Sequence, residues 1–286
     1  WFVPQAAALP LLFYDEGAFE EAGRPPPTAA WTWTEMAEEM AATAVPGAET
    51  LGYGFLAGGE EALYAYAYNW ENDCRQHTIL CEQQLSPLEI DAAFDWLDNM
   101  VADGLHPDII QFTPTQTYPS TPYFLLPTRS NLRETYQSAR RQAVIWVDWP
   151  GEYEFRDLLA PLGVAAFPGG GDVNGVTPLV VYGHFMTTET TRPLATWQWL
   201  AFLSRHPLRA QNRYVPARLS VATEMRFWQN LPPALAEPMR TALPYGRPIQ
   251  LQERGIFTQE RVLAVLTGEL PKADAATSPA YLWFQP

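Results

Sequence analysis

The sequence is poor in basic residues, histidine and cysteine, and each shortage excludes a class of function. It has 18 Lys plus Arg against 32 Asp plus Glu, which gives a formal net charge of −14. A phosphate backbone would be repelled, so we expect no nucleic-acid partner. Four histidines, and no G-x-G-x-x-G, P-loop or zinc signature, leave little material for acid–base catalysis, nucleotide binding or metal binding. We therefore predict no catalytic residue, no cofactor and no metal site.

Long apolar runs are also missing. No stretch of 18 apolar residues occurs, so no membrane-spanning helix is predicted. The chain begins at Trp1 and has no basic n-region, apolar h-region or lipobox cysteine, so we expect any export signal to lie outside it. The sequence is rich in proline, with 27, and in aromatics, which make up 13%. We expect an extracytoplasmic protein, periplasmic or anchored by lipid at the cell surface.

The two cysteines, Cys74 and Cys81, lie seven positions apart. This spacing suits a disulfide across a short hairpin, which would contribute roughly 2–3 kcal/mol in the chain-entropy model. Free thiols are the main alternative. A metal site would need more ligands than His77, the one candidate ligand close by. If the disulfide forms, the compartment is oxidising.

The length of 286 residues and the 47% hydrophobic content predict a globular protein with one large domain or two. Helices and strands are predicted to alternate, which indicates the α/β class. Turn, cap and periodicity signals predict helices at 16–23, from a cap at Thr34 to residue 44, and at 58–70, 86–103, 131–141, 192–206 and 258–270. They predict strands within 3–14 and at 51–57, 144–147, 162–167 and 177–187.

The segment 143–153, AVIWVDWPGEY, is the most informative about function. Val144 to Val147 are continuously apolar and predict a buried strand. Trp149, Tyr153 and Asp148 lie at its exit, with Glu152 and Glu154 close by. Aromatic faces beside carboxylates suit a sugar, because rings stack on its C–H faces and carboxylates accept from its hydroxyls. The alternative is a core strand with a polar cap.

The order of these segments resembles the extracellular solute-binding proteins of ABC transporters, family 1, the maltose-binding-protein-like group. Eight segments carry the resemblance in order, over nearly the whole chain, although none is specific alone. They are ALPLLFYDEGAFEEAG, PPPTAAWTWTEMAEEM, SPLEIDAAFDWLDNMVADGLHPD, RQAVIWVDWPGEY, LGVAAFPGG, TWQWLAFLSRHP, YVPAR and LAVLTGEL. In the first segment Asp15 replaces the asparagine usual in the family.

The resemblance implies a periplasmic-binding-protein-like (type II) fold with two lobes, of which this chain holds mainly the C-terminal one. Residues 1–183 and 213–286 would form that lobe. Residues 184–212 would be a crossover and helix of the N-terminal lobe, most of which is missing from this sequence. The helix in that segment would leave apolar surface exposed without its own lobe. A monomer is expected when both lobes are present.

The family also implies a function and a site. The function is capture of a mono- or oligosaccharide between the lobes and its delivery to the membrane subunits of an ABC permease. The implied ligand-binding residues are Trp149, Tyr153, Asp148, Glu60, Glu61, Tyr64, Tyr182 and Arg254. Each also has a structural interpretation: packing for the aromatics, and a favourable interaction with the helix dipole for the two glutamates.

Two other functions stay open from the sequence. A glycosidase would need an acid and a base about 5–10 Å apart, which Asp148, Glu152 and Glu154 could supply. A sensor or receptor domain could use the same fold, because fold does not determine function.

Overall fold

The computed structural model is a mixed α/β structure, as predicted. It describes residues 1–43, 53–56, 60–70, 84–103, 143–150, 162–169, 175–206, 214–249, 253 and 255–277. Within these ranges no helix combines the length and the apolar composition needed to cross a bilayer. Cys74, Cys81, Tyr153 and Arg254, and the predicted helix 131–141, lie outside the described residues.

The described helices and strands alternate along the chain. The strands are β1 (Phe2–Ala8), β2 (Leu11–Asp15), β3 (Tyr53–Leu56), β4 (Ala143–Asp148), β5 (Leu162–Ala165), β6 (Thr177–Phe185), β7 (Val215–Pro216) and β8 (Gly246–Pro248). The helices are α1 (Glu16–Ala22), α2 (Trp33–Thr43), α3 (Glu60–Asn69), α4 (Pro87–Ala102), α5 (Pro193–Leu203), α6 (Leu219–Glu224), α7 (Phe227–Asn230), α8 (Pro233–Ala242), α9 (Gln259–Leu266) and α10 (Lys272–Thr277). A 3₁₀ turn, Leu243–Tyr245, joins α8 to β8.

The strands form two four-stranded sheets, and β1 leads directly from one into the other. The first sheet has the order β7-β1-β6-β8, and the second has the order β3-β4-β2-β5. In the second sheet β3 and β4 are parallel, whereas β2 runs antiparallel to both β4 and β5. The predicted boundary at residue 183 falls inside the continuous strand β6.

Strand β4 is the apolar run Val144–Val147, and all four side chains are buried. It is a central strand, between β3 and β2, and successive side chains point to opposite faces of the sheet, so their burial means that both faces are covered. This is why the sequence is continuously apolar rather than alternating. Trp146 stacks on Phe13 of β2 with ring centroids 6.2 Å apart. The prediction of a buried core strand is confirmed.

Helix starts follow capping chemistry. At α4, Ser86 Oγ accepts from the Glu89 N–H at 3.3 Å and Glu89 Oε2 accepts from the Ser86 N–H at 2.6 Å, which confirms the predicted capping box. The prediction of Thr34 as the cap of α2 is wrong. The structure has a capping box at Thr32, whose Oγ1 accepts from the Glu35 N–H at 3.0 Å while Glu35 Oε2 accepts from the Thr32 N–H at 2.7 Å.

Helix α1 begins and ends as its sequence predicts. Asp15 Oδ1 accepts from the Ala18 N–H at 3.0 Å, and Gly23 follows the helix in the left-handed region at φ 64°. That conformation costs glycine little, which explains the choice of residue. The cap also fixes the direction of the chain between β2 and the Pro25–Pro27 loop.

Candidate functional site

The candidate site lies at the end of the second sheet where the parallel strands β3 and β4 finish. This end of the sheet is called the edge below. Leu56, the last residue of β3, pairs with Trp146, two residues before the end of β4. The chain therefore leaves both strands on the same side of the sheet. In open α/β sheets this is the edge at which ligands bind.

The elements that follow the two strands carry four of the predicted residues. Asp148 ends β4 and Trp149 follows it. Glu60 and Glu61 open helix α3, which comes after β3. Strand β2 starts at the same edge, because Leu11 pairs with Asp148. The topology thus brings an aromatic side chain and a helix N-terminus with two acids to one edge, close to the passage between the sheets.

Exposure separates residues that a ligand could reach from those that it could not. Trp149 and Glu61 are half-buried, so part of each side chain reaches solvent. Tyr182 lies in the first sheet opposite Ala6 and is also half-buried. Its ring meets Tyr214 edge-on with centroids 5.2 Å apart. Tyr182 therefore lies on β6 in the first sheet, and not in the sheet that contains β3 and β4.

The prediction for Tyr64 as a stacking platform is wrong. Its side chain is fully buried, and its hydroxyl donates to the backbone carbonyl of Glu253 at 2.5 Å. Its ring contacts Phe257 edge-on at 4.9 Å and Tyr68 at 5.9 Å. Tyr64 and Tyr68 do share one face of α3, as their spacing predicts, but that face packs into the core.

A buried charged cluster that includes Tyr68 of α3 was not predicted from the sequence. The Glu253 carboxylate accepts from Arg247 Nη2 at 2.8 Å, from the Tyr68 hydroxyl at 2.7 Å and from the Leu85 N–H at 2.9 Å. Both charged side chains are at most 2% exposed. The Arg247 guanidinium also lies 4.0 Å from the centroid of the Tyr68 ring, a cation–π distance.

This cluster fixes the segment at residue 253 against α3. Glu253 receives hydrogen bonds on its carboxylate and on its backbone carbonyl, the latter from Tyr64. Burial raises the pKa of Tyr68 well above its usual range, and the Glu253 carboxylate raises it further. The phenol therefore stays protonated and keeps donating. No local sequence signal could have identified the cluster, because Tyr68 and Glu253 are 185 positions apart.

Within the described ranges, no group of three or more His, Cys, Asp or Glu side chains could hold a metal ion. The described part of the edge therefore offers aromatic surface, carboxylates and backbone groups. These are suited to hydrogen bonding and stacking of a neutral polar ligand.

The fold matches solved structures, whereas the sequence alone matches no protein-family model and no curated protein. An ABC substrate-binding protein of Listeria monocytogenes, solved in complex with cycloalternan, aligns with a TM-score of 0.64 at 16% identity, over 96% of this chain and 69% of that one. The sugar-binding protein MalE of Xanthomonas citri aligns with a TM-score of 0.61 at 18% identity, over 95% of this chain and 66% of that one.

A third similar structure is the cyclic alpha-maltosyl-1,6-maltose binding protein of Arthrobacter globiformis. It aligns with a TM-score of 0.60 at 17% identity, over 96% of this chain and 69% of that one. All three are sugar-binding or substrate-binding proteins. The fold of this chain is therefore the periplasmic-binding-protein-like fold of the maltose-binding-protein-like group, over about two thirds of the length of those proteins.

Proposed function

We propose that this chain is part of the substrate-binding component of an ABC importer for a carbohydrate. The component captures a mono- or oligosaccharide in a cleft between two lobes, outside the cytoplasm, and delivers it to the membrane permease. The observation that most supports this is the candidate edge itself. Trp149, Asp148 and the start of α3 lie there, in a fold shared with the three solved proteins above, whose names or bound ligands include sugars.

The proposed mechanism needs no bond to be made or broken. The half-buried ring of Trp149 stacks on a C–H face of the sugar, and Asp148, Glu60 and Glu61 accept from its hydroxyls. Tyr153 stays in the proposal because it follows Trp149 closely in the sequence, and Arg254 because it follows Glu253, which is hydrogen-bonded to α3. Closure of the second lobe removes the sugar from water and creates the surface that the permease binds.

The second lobe is proposed from the surface around α5. The exposed apolar face consists of large side chains of β1, β6 and α5, each 45–84% exposed: Trp1, Phe2, Phe185, Leu194, Trp197, Trp199 and Phe202. Helix α5 is apolar on all sides, and Leu200 is its one residue in the buried core. Helices with this composition are normally enclosed.

We therefore propose that residues 184–212 pack against a second lobe and that the exposed apolar face is covered by it. Hydroxyl-radical footprinting of the full polypeptide tests this. Trp197 and Trp199 should be oxidised much more slowly than free tryptophan. The exposed side chain of Met225 is the internal control and should be oxidised at close to the rate of free methionine. Oxidation of both tryptophans at the rate of free tryptophan would contradict the proposal.

The sugar-binding function is tested by titrating the full polypeptide with maltose, cycloalternan and acarbose, using thermal shift and calorimetry. We expect one of these or a related saccharide to bind. Trp149→Ala should weaken its binding at least about 10-fold, because the lost contact with a large aromatic ring needs to contribute only about 1.4 kcal/mol for this. The matched control is Trp228→Ala, which removes another half-buried tryptophan far along the chain from the edge. Equal effects of the two substitutions, or hydrolysis of chromogenic glycosides, would contradict the proposal.

A further inference from the structure

A second concave site lies on another part of the molecule, between α1, α8 and the edge strand β5. It is a groove of about 360 Å³, at the small end of the range for small-molecule sites. Strand β5 and the residue after it line one side of the groove through Gly163, Val164, Ala165 and Ala166. One wall is the Pro27–Ala29 loop and the other is α8. None of these residues belongs to the candidate sugar site.

The walls are held in place by separate contacts. The Gly169 N–H donates to the Ala29 carbonyl at 3.1 Å, which ties the loop to the end of β5. Helix α8 buries Leu235, Ala236, Met239 and Ala242 on its inner side. Its other side lines the groove through Pro233, Ala234, Glu237, Pro238 and Thr241. The groove is therefore bounded by a strand, a helix and a loop that a backbone hydrogen bond holds in place.

Tyr14 contributes a phenol side chain to the lining of this groove. The residue is 8% exposed and lines the groove. Its ring lies directly over Gly163, where a Cβ would come within 1.8 Å of Tyr14 Cζ, and meets Phe19 edge-on at 5.6 Å. In the described part of the chain its hydroxyl forms no hydrogen bond. The hydroxyl oxygen itself is not buried, so it can hydrogen-bond to water or to a ligand in the groove.

The other polar groups of the groove are predominantly acceptors. Glu16 lies at the end next to Tyr14 and Glu237 on the α8 wall. Neither carboxylate forms an ion pair with the residues that the structure describes, and Arg240 of α8 lies over the Trp228 ring, 5.3 Å from its centroid. Burial and the Glu16 charge raise the pKa of Tyr14, so the phenol stays neutral.

Pro238 adds a backbone acceptor. It lies inside α8 and has no N–H, so it cannot donate to the carbonyl of Ala234 one turn earlier. Ala234 is exposed and lines the same wall. The groove thus combines two carboxylates on different elements, a carbonyl freed from its usual helix bond, and an apolar lining along β5.

We propose that this groove binds a small aliphatic diamine. Each ammonium group has three donors and no acceptor, which matches carboxylates, a carbonyl and hydroxyl oxygens. The methylene chain matches the apolar lining along β5. The two carboxylates, one at Glu16 and one at Glu237, can each take one ammonium. This proposal is independent of the sugar-binding function.

The experiment titrates the chain with 1,4-diaminobutane by calorimetry at low salt, with 1,4-butanediol as the uncharged probe of equal length. We expect the diamine to bind with a submillimolar dissociation constant and the diol to bind at least 10-fold more weakly. Glu237→Gln and Tyr14→Phe should each weaken diamine binding, the first by up to about 5-fold, because Glu237 is exposed and an exposed ion pair contributes about 0.2–1 kcal/mol. The matched control is Glu20→Gln, which removes an exposed carboxylate from the same helix as Glu16 without touching the groove.

A second variant keeps the test independent of folding. Ala234→Lys adds an ammonium group at an exposed helix position and should abolish diamine binding while the melting temperature is retained. Failure of the diamine to bind, equal binding of the diol, or equal weakening by Glu20→Gln and Glu237→Gln would each overturn the proposal. Equal weakening would mean that the net charge of −14 attracts the diamine without a site.

Discussion

The buried cluster at Glu253 gives the sharpest prediction about stability. Glu253→Gln keeps the size of the side chain but removes its charge. Arg247, whose side chain is 2% exposed, then loses the carboxylate that lies 2.8 Å from its Nη2. Removing one partner of a buried ion pair costs about 3–5 kcal/mol. Since folded domains are stable by about 5–15 kcal/mol, we expect a large loss of stability.

The assay is unfolding in urea monitored by tryptophan fluorescence. Midpoints are compared between variants whose free energy of unfolding has the same dependence on urea concentration. The control is Lys272→Gln, which removes an exposed ion pair. Lys272 Nζ lies 2.6 Å from Asp95 and 2.5 Å from Asp98, and such a pair contributes about 0–1 kcal/mol. The double variant Arg247→Met, Glu253→Gln should lose less stability than Glu253→Gln alone, because no buried charge is stranded. A loss below about 1 kcal/mol for Glu253→Gln, equal to that of Lys272→Gln, would refute the reasoning.

Three further predictions concern single side chains. The pKa of Tyr68 is raised by burial, so the folded state keeps a proton that the unfolded state loses near pH 10. The free energy of unfolding should therefore fall by about 1.4 kcal/mol per pH unit above pH 10. Tyr68→Phe should reduce this pH dependence, which urea midpoints measured from pH 8 to 11 would show. Thr32→Ala should destabilise by about 1 kcal/mol through loss of the α2 cap, whereas Thr34→Ala should cost under about 0.5 kcal/mol; equal losses in thermal unfolding would contradict the assignment of the cap. Gly163→Ala should destabilise by about 1–3 kcal/mol, because its methyl would come within 1.8 Å of Tyr14 Cζ; an unchanged melting temperature would mean that the Tyr14 ring moves freely.

Local signals predicted the elements well. The Ser86 box starts α4, Gly23 ends α1, and the apolar run Val144–Val147 is a buried strand. The first two depend on residues within four positions of one another, and the third is marked by an unbroken apolar run, so each signal can be read locally. The misplaced α2 cap is a local error, because Thr32 and Thr34 are chemically equivalent and the box is completed by Glu35, which suits Thr32.

Long-range contacts could not be predicted. The spacing of Tyr64 and Tyr68 correctly places both on one face of α3, but it does not say which face is buried. The structure decides this through Glu253, which both hydroxyls contact from 189 and 185 positions away. The groove at Tyr14 was missed for the same reason, since its β5 lining and its α8 wall come from distant parts of the chain.

The candidate site could be predicted from the sequence only in part. The strand order brings the ends of β3 and β4 together, so Trp149 and the start of α3 share one edge. The sequence suggested this through resemblance to a family, not through spacing. The roles of Trp149, Tyr153, Asp148, Glu60, Glu61, Tyr182 and Arg254 in binding are still predictions.

The most direct test of the central claim is a crystal structure of the full polypeptide grown with the saccharide that binds most tightly in the titrations. The account predicts the sugar at the edge where β3 and β4 end, with one of its C–H faces against the ring of Trp149. A saccharide bound elsewhere with Trp149 out of contact, or the failure of every saccharide to bind, would contradict it.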